Sequence, residues 1–598
     1  FIMNQYVSQI FDGFSHINLV YMNENSLGVN YPLTPGKTNI NFRASLRSQD
    51  GNSPNVAGYY DFMEVLYDRI LSADGNKLRF NSPDTSGTIE FQINNFNSQD
   101  IKLFDISEQA NVNIINPISY NAGILKFQSE IKSGDPKEFY SIGGDNYFSP
   151  VSVSGRVANQ NLKGELAQGS SFFIITPKEF KSASNRLKAQ RERPGQNYIK
   201  TTVIDVEDIY NEFSHGLQDP VAVRNFLKYA FNNFGERPVY ISFMGDGSYD
   251  YKNIYNLYNG GVKNWILPIE KNSDYANDVD SYCSDDFILE INESYDFPGG
   301  RSIPDFASGR IPANTIDEAN SYIDKVISYE DPANFDKWRQ VATYVADDGW
   351  TTEQPNGQEG SLHTDQCEDV AQNHTPDYIK KEKIYIVNYP SEITPQGRRK
   401  PEVNKDIVKS WNEGRLVLNY TGHGSTDLWA HEHIFERQVS IPQLTNKNKY
   451  PFITIASCDL ARWDDPYNLS AAEQLVLIKD KGAIGISAAV RPVYSIPNAI
   501  YNNRLYDNIY KTDTLGLRLR IGKAIFNVKQ DLNYDNDLKF SYLGDPTLRL
   551  GVPQFRTKVD SINSTPGDSL FEMKSLQKVK ISGSVLRSDS TFWGDYNG

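Results

Sequence analysis

The chain has 598 residues, 23% of them charged, with a formal net charge of −15 at pH 7 and a pI near 5.1. That length exceeds what one hydrophobic core serves, so three or four domains are expected. Acidic and basic residues are interspersed with no basic groove, which excludes nucleic acid as the main partner, and no run of about 18 apolar residues offers a membrane-spanning helix.

Residues 1–168 read as a β-rich N-terminal region. Short alternating runs such as Gly87-Thr-Ile-Glu-Phe-Gln-Ile-Asn94 and Ile101-Lys-Leu-Phe-Asp-Ile106 are separated by Asn, Asp, Ser and Gly turns. The pattern changes near 171. Ser171-Phe-Phe-Ile-Ile-Thr176 predicts a buried strand, 178–193 a helix, and Thr202-Val-Ile-Asp-Val206 another strand. Residues 219–231 have helical spacing with Pro220 near the first turn, and Pro238-Val-Tyr-Ile-Ser-Phe-Met244 is a strand leading into Gly245-Asp-Gly-Ser248. The rhythm continues through an amphipathic helix at 316–329, a strand at 340–346 ending in Asp347-Asp348-Gly349, and a helix at 362–373. A strand at 383–387 and a helix at 402–413 follow. After Cys458 come a helix at 470–478 and a strand at 483–487; from about 553 the chain turns polar and β-like again. Strands alternating with helices predict an α/β fold with mostly parallel sheets.

Two segments carry the chemistry. Arg415-Leu-Val-Leu-Asn-Tyr-Thr-Gly-His-Gly424 and Pro451-Phe-Ile-Thr-Ile-Ala-Ser-Cys458 are apolar runs that stop abruptly at a reactive side chain. Their separation suits one crossover between adjacent parallel strands, which puts His423 and Cys458 side by side at the carboxyl ends. There the imidazole can deprotonate the thiol and later protonate a leaving amine. The amide N–H groups of Gly424 and Cys458 are suited to hold an oxyanion.

Other residues enter as candidates. Asp347 and Asp348, at a strand end, are placed to orient the imidazole, or form a solvated turn. Trp429 either walls a substrate pocket or packs in the core, and Asp246 lines the site or caps a turn. His431 and His433 lack an apparent third ligand, so no metal is assigned to them. Asp274, Asp278, Asp280, Asp285 and Asp286 offer oxygen donors for a structural Ca²⁺, although their spacing matches no EF-hand loop. Of three cysteines, Cys283 and Cys367 are buried or surface thiols, or a disulfide in an oxidising compartment, whereas Cys458 must stay free to act. Phe1-Ile-Met-Asn4 has no basic n-region or apolar h-region. The chain is therefore expected to be a piece of a longer exported protein whose signal peptide lies outside it.

Thr421-Gly-His-Gly424 and Ala456-Ser-Cys458 resemble the histidine and cysteine motifs of the gingipain family of caspase-like cysteine peptidases. Five further blocks resemble that family in order and spacing: Ile209-Tyr-Asn-Glu-Phe-Ser214, Gly245-Asp-Gly-Ser-Tyr-Asp250, Ala307-Ser-Gly-Arg-Ile-Pro312, Val345-Ala-Asp-Asp-Gly349 and Tyr542-Leu-Gly-Asp-Pro-Thr547. The resemblance covers about 171 to 552 and is strongest to the PorU-type sortase branch of the type IX secretion system of Bacteroidetes. After the histidine, Ser425-Thr-Asp-Leu-Trp-Ala-His-Glu-His-Ile434 departs from the glycine-rich stretch of relatives. Asp459-Leu-Ala-Arg-Trp-Asp-Asp-Pro466 keeps the aspartates and proline of the sortase branch.

The resemblance implies a caspase-like α/β fold with His423 as base and Cys458 as nucleophile, no cofactor for the chemistry, and bound calcium as in family members. It divides the chain into the β-rich region 1–168, an N-terminal α/β subdomain at 169–335, a catalytic α/β subdomain at 336–552, and the start of a C-terminal β-sandwich at 553–598. It implies an enzyme at the cell surface, associated with the outer membrane, that removes C-terminal sorting domains from secreted cargo and transfers the cargo to anionic lipopolysaccharide. Its partners would be that cargo and other secretion components. The rival readings are a gingipain-type surface endopeptidase and a non-enzymatic surface scaffold.

Overall fold

The structure is a computed structural model. It describes residues 70–108, 111–116, 118–147, 149, 155, 157–254, 256, 264–271, 281–292, 303–350, 359–395, 397–532, 535–553, 555–567, 572–587, 591–592 and 594, and before them the strands Gln5–Phe11, Phe14–Leu19 and Asn41–Ser45. The chain divides into two compact units, Ile2–Asn159 and Gln160–Gly598.

In the first unit, the four-stranded sheet containing Lys77–Asn81 and Glu138–Gly143 and the three-stranded sheet containing Gly87–Ile93 and Ile124–Ile131 share one core. Phe80 and Phe139 from one sheet meet Phe91 and Phe127 from the other, with ring centroids 5.2–6.4 Å apart. The alternation read from the sequence is the inward face of a small sandwich.

The second unit is built on one ten-stranded sheet. Its strands in chain order are β1 Phe172–Thr176, β2 Thr201–Asp205, β3 Tyr240–Met244, β4 Ala307–Ile311, β5 Val341–Ala346, β6 Lys380–Tyr385, β7 Val417–Thr421, β8 Phe452–Ala456, β9 Gly485–Ala489 and β10 Phe540–Gly544. The spatial order is β2-β1-β3-β4-β10-β9-β8-β7-β5-β6. Every neighbouring pair is parallel except β9 and β10. The sheet is therefore two parallel halves running in opposite directions, joined along one antiparallel ladder. The change of direction falls between β4 and β5 in sequence, close to the expected boundary at 336, but β10 returns from the far end of the chain to complete the first half.

The longer helices of this unit lie between the strands, and four of them begin at a side-chain cap. The helices are α1 Lys181–Arg191, α2 Val206–Phe213, α3 Pro220–Asn233, α4 Ile316–Glu330, α5 Leu362–Asn373, α6 Pro401–Glu413, α7 Ala471–Leu477, α8 Ser495–Ile509 and α9 Ile521–Asp531. Asp205 caps α2 and Asp219 caps α3, whose first residue is proline; Thr315 with Glu318 and Ser470 with Glu473 form capping boxes on α4 and α7. Helices cover both faces of the second half. Thr343 of β5 hydrogen-bonds Ser410 of α6, while its neighbour Tyr344 bonds Thr375 just beyond α5 and packs its ring on Tyr506 of α8. Strands β7 and β8 are buried along their whole length, as continuous apolar runs in parallel sheets require.

Strand β10 is fastened by charge. Arg191 at the end of α1 is 1% exposed and reaches both Glu330 of α4 (2.8 Å) and Asp545, which follows β10 and is fully buried. Tyr322 of α4 accepts the Asp545 N–H at 2.6 Å and donates to Ile484 O at 3.0 Å, tying both halves to one side chain. The family-like block at 542–547 thus has a structural aspartate. Beyond it, Phe555–Ile562 and Ile581–Arg587 form an antiparallel pair on which Phe555, Val559 and Ile581 are exposed.

Removing one partner of a buried ion pair strands the other charge, at a cost of about 3–5 kcal/mol. Arg191 keeps Glu330 when Asp545 is removed, so Asp545→Ala is expected to destabilise the second unit by less than that, about 1–3 kcal/mol, read as a lowered urea midpoint with an unchanged fold signature in the far ultraviolet.

Candidate active site

Three adjacent strands deliver the site. Ala346 of β5 is in register with Thr421 of β7, and Thr421 with Ala456 of β8. Asp347 follows β5 directly, and His423 and Cys458 each lie two residues beyond a registered pair. The Gly422 N–H donates to Ala456 O (3.3 Å), stitching the two loops together.

The glycines around the histidine are required by close approach. A Cβ on Gly422 would lie 2.3 Å from the Asp347 Cβ, and one on Gly424 would lie 2.5 Å from the Ser457 hydroxyl. Asp347 holds the loop backbone: it accepts the His423 N–H on Oδ2 at 3.0 Å and donates its own N–H to Thr421 O at 3.0 Å. Burial pushes its carboxyl well above the usual range, with the His423 N–H as the main counterweight.

This corrects the expectation that Asp347 and Asp348 orient the ring. Asp347 serves the backbone, and Asp348 is matched by Arg398 (2.8 Å) and Lys400 (3.1 Å). Burial opposes ionisation of Asp348, but the Arg398 hydrogen bond and its companions hold the carboxyl below its ordinary range. The ring's partner is Glu359, whose Oε2 lies 2.8 Å from His423 Nε2. Partial burial raises the Glu359 carboxyl, but the His423 hydrogen bond together with the charge interactions of His423 and His363 holds it below its ordinary range. Glu359 stands in a polar stretch without strand or helix periodicity, so no pattern singled it out; its position just before α5 is the only cue.

Trp429 is also corrected. It is 0% exposed and stacks on Tyr420 (4.5 Å between centroids) and Phe435 (4.8 Å), with Trp411 beyond. It supports the histidine loop from below, since the Tyr420 hydroxyl donates to His423 O, which also accepts the Ala430 N–H at 2.9 Å. Asp246 follows β3, whose carboxyl end lies at the opposite edge of the sheet from those of β7 and β8. It is fully buried, accepting from Asn314 Nδ2 (2.6 Å) and the Gly247 N–H (2.9 Å), and lines no site with His423.

The thiol of Cys458 sits against Val493, just beyond β9, donating to Val493 O (3.5 Å) and accepting from Val493 N (3.4 Å). Burial pushes the thiol up, Asp459 adds to the rise, and the Val493 N–H partly offsets it. Among the described residues no hydrogen bond joins the thiol to His423, and the amides of Gly424 and Cys458 donate to no protein acceptor, which leaves both free for an oxyanion.

Other candidates settle elsewhere. His433 pairs with Glu436 (3.2 Å), whereas the His431 ring packs 5.3 Å from that of His423, so the two do not converge on one ion. Asp285 binds Arg310 through two oxygens (2.9 and 2.6 Å), and Asp286 pairs with Lys529. These two carboxylates carry protein cations and do not fit calcium; Asp274, Asp278 and Asp280 lie outside the described residues. Cys283 and Cys367 are buried free thiols, not a disulfide. Asp464 in the 459–466 run is fully buried against Arg491.

Residues 165–551 match peptidase family C25. The chain belongs to that family. Its fold, a large and mostly parallel sheet with helices on both faces, is the caspase-like arrangement of the gingipains, with a β-rich unit before it. Among curated relatives, gingipain R2 of Porphyromonas gingivalis is 24% identical over 321 residues, 53% of this chain and 36% of its own length. A Lys-gingipain of the same organism is 26% identical over 227 residues, 38% of this chain and 12% of its own length. The chain therefore spans about a third or less of these relatives. Among solved structures, the Arg-specific cysteine proteinase gingipain R has a TM-score of 0.47 at 20% identity, covering 66% of this chain and 81% of that one. Dimeric latent PorU from Porphyromonas gingivalis has a TM-score of 0.49 at 18% identity, covering 87% of this chain and 44% of that one.

Because a Gly422 Cβ collides with Asp347, Gly422→Ala is expected to displace the histidine loop while leaving the sheet intact. Turnover should fall more than about tenfold, since misplacement by an ångström costs that much or more, with only a small fall in unfolding midpoint.

Proposed function

We propose that the chain is a cysteine peptidase in which Cys458 is the nucleophile, His423 the general base, and Glu359 the group that orients the imidazole. The observation that carries this reading is the register of β7 on β8, which brings a histidine and a cysteine off adjacent strand ends at matched positions. With substrate bound, His423 accepts the thiol proton as sulfur attacks the scissile carbonyl. The Gly424 and Cys458 amides take the oxyanion. The imidazolium, favoured by Glu359, then protonates the departing amine, leaving a thioester on Cys458.

The thioester can be resolved by water or by an amine, and here the sortase reading enters: the enzyme acts at the bacterial cell surface on C-terminal sorting domains of exported cargo and passes the cargo to anionic lipopolysaccharide. Supporting it are the block resemblances along 171–552 and the aspartates of the 459–466 run. Val493, which cradles the sulfur, is followed by Tyr494 and Ile496, 61% and 68% exposed.

Cys458→Ala is expected to abolish cargo maturation in cells while the protein stays folded; maturation at the parental rate would end the peptidase assignment. Glu359→Gln should lower kcat about 10²-fold or more, through the wrong tautomer and lost stabilisation of the imidazolium. Incubation with unrelated denatured proteins should give no cleavage, and broad cleavage would favour a gingipain-type endopeptidase.

The thiolate is the reactive form, so a thiol held above its ordinary range reacts slowly at neutral pH. Alkylation of Cys458 by iodoacetamide is expected to rise about tenfold per pH unit from neutrality into the alkaline range. A plateau already reached at pH 6 would indicate an ion pair with His423, and no reaction at any pH would favour a scaffold.

A further inference from the structure

We propose that Glu359, His363 and His423 form a binding site for a zinc-class transition-metal ion, and that occupancy of this site silences the enzyme by capturing the imidazole of His423. The consequence for activity rests on His423 being the base; the binding itself does not.

The donor set is one carboxylate and two imidazoles, the kind that zinc takes with one position left to water. Glu359 Oε2 lies 2.8 Å from His423 Nε2 and 3.3 Å from His363 Nε2, and all three donor atoms fall within 4.8 Å of one another. Ligands about 2.0–2.1 Å from a tetrahedral zinc stand about 3.4 Å apart, so small side-chain rotations complete the cage. The His363 and His423 rings are already close, 5.1 Å between centroids at 85°.

A second observation points to a ligand. His363 is 6% exposed, yet neither ring nitrogen has a hydrogen-bond partner, its approach to Glu359 being poorly aligned. A buried polar group left unpaired costs about 1–3 kcal/mol, a cost that a metal bond would remove.

The other two clusters of donors in the described residues carry built-in cations. Asp348 and Glu432 share Arg398, and Asp464 and Glu270 share Arg491. Among the described residues the Glu359 carboxylate is paired with the two histidines and with no protein cation of the lysine or arginine kind. Calcium is disfavoured because two of three donors are nitrogen. Cys458 is a competing soft ligand, but its thiol is turned to the Val493 backbone.

The test uses the whole chain and Zn²⁺ alone. Competition with a chromophoric chelator should show one tight equivalent, and Co²⁺ in its place should give the visible absorption of a tetrahedral nitrogen–oxygen site without a thiolate charge-transfer band. Cys458→Ala should keep this binding and the accompanying rise in unfolding midpoint. His363→Ala and the milder His363→Gln should each weaken binding more than about tenfold, retain metal-free activity within about threefold, and escape inhibition by Zn²⁺. Undiminished binding in both His363 variants, loss of binding in Cys458→Ala, or binding without inhibition would each overturn the proposal. Continued cargo processing by Cys458→Ala would instead sink the peptidase reading, and zinc binding measured in that variant keeps the two failures apart.

Discussion

The site depends on the register between β7 and β8. Both strands are buried on both faces, and the pairing is pinned from inside: Asn419 and Thr454 are registered partners, and the Asn419 amide donates to the Thr454 hydroxyl at 2.8 Å. A slip by one residue would turn every side chain to the other face and leave those polar groups unpaired, at about 1–3 kcal/mol each. Fixing that one pair fixes everything downstream, because His423 and Cys458 lie four residues beyond it on their respective strands. The chemistry is positioned by hydrogen bonds that never touch a substrate.

The carboxylates near the site divide into two kinds. Asp348 and Glu432 are bound to Arg398, with Lys400 behind, and hold the hairpin Glu392–Arg399 against the histidine loop. Asp347 is spent on the loop backbone. Glu359 alone faces imidazoles. In the proposed mechanism an acid that stabilises a transient imidazolium cannot be neutralised by a permanent guanidinium, and Glu359 is held apart from Arg398 and Lys400, which pair with Asp348.

Much of this is legible in the sequence. The alternation of strands and helices, the caps on α3 and α4, and the strand-then-stop pattern before His423 and Cys458 all follow from periodicity and small residues. What is not legible has physical reasons. Helix α8 carries asparagines and tyrosines on its buried face, which blurs an apolar stripe. Strand β4 contains Arg310, buried against Asp285, and so does not read as a core strand. Glu359 and His363 converge with His423 only in space, and neither sits in a repeating pattern. Asp347 and Asp348 mislead because a strand end near the histidine can serve its backbone as readily as its ring. Trp429 misleads because aromatics near a reactive residue more often prop a loop than wall a pocket.

The single antiparallel ladder at the middle of the sheet has a consequence for how the chain comes together. Strand β10 lies more than 200 residues after β4 in sequence yet sits between β4 and β9 in space. Until it arrives, each parallel half must end in an open edge, β4 on one side and β9 on the other, and such edges invite pairing with other chains. Contacts of this sequence separation form late because loop closure comes first. A chain still being made therefore keeps both halves of the sheet open until β10 has been synthesised, and a ladder that closes the sheet only then protects neither edge beforehand.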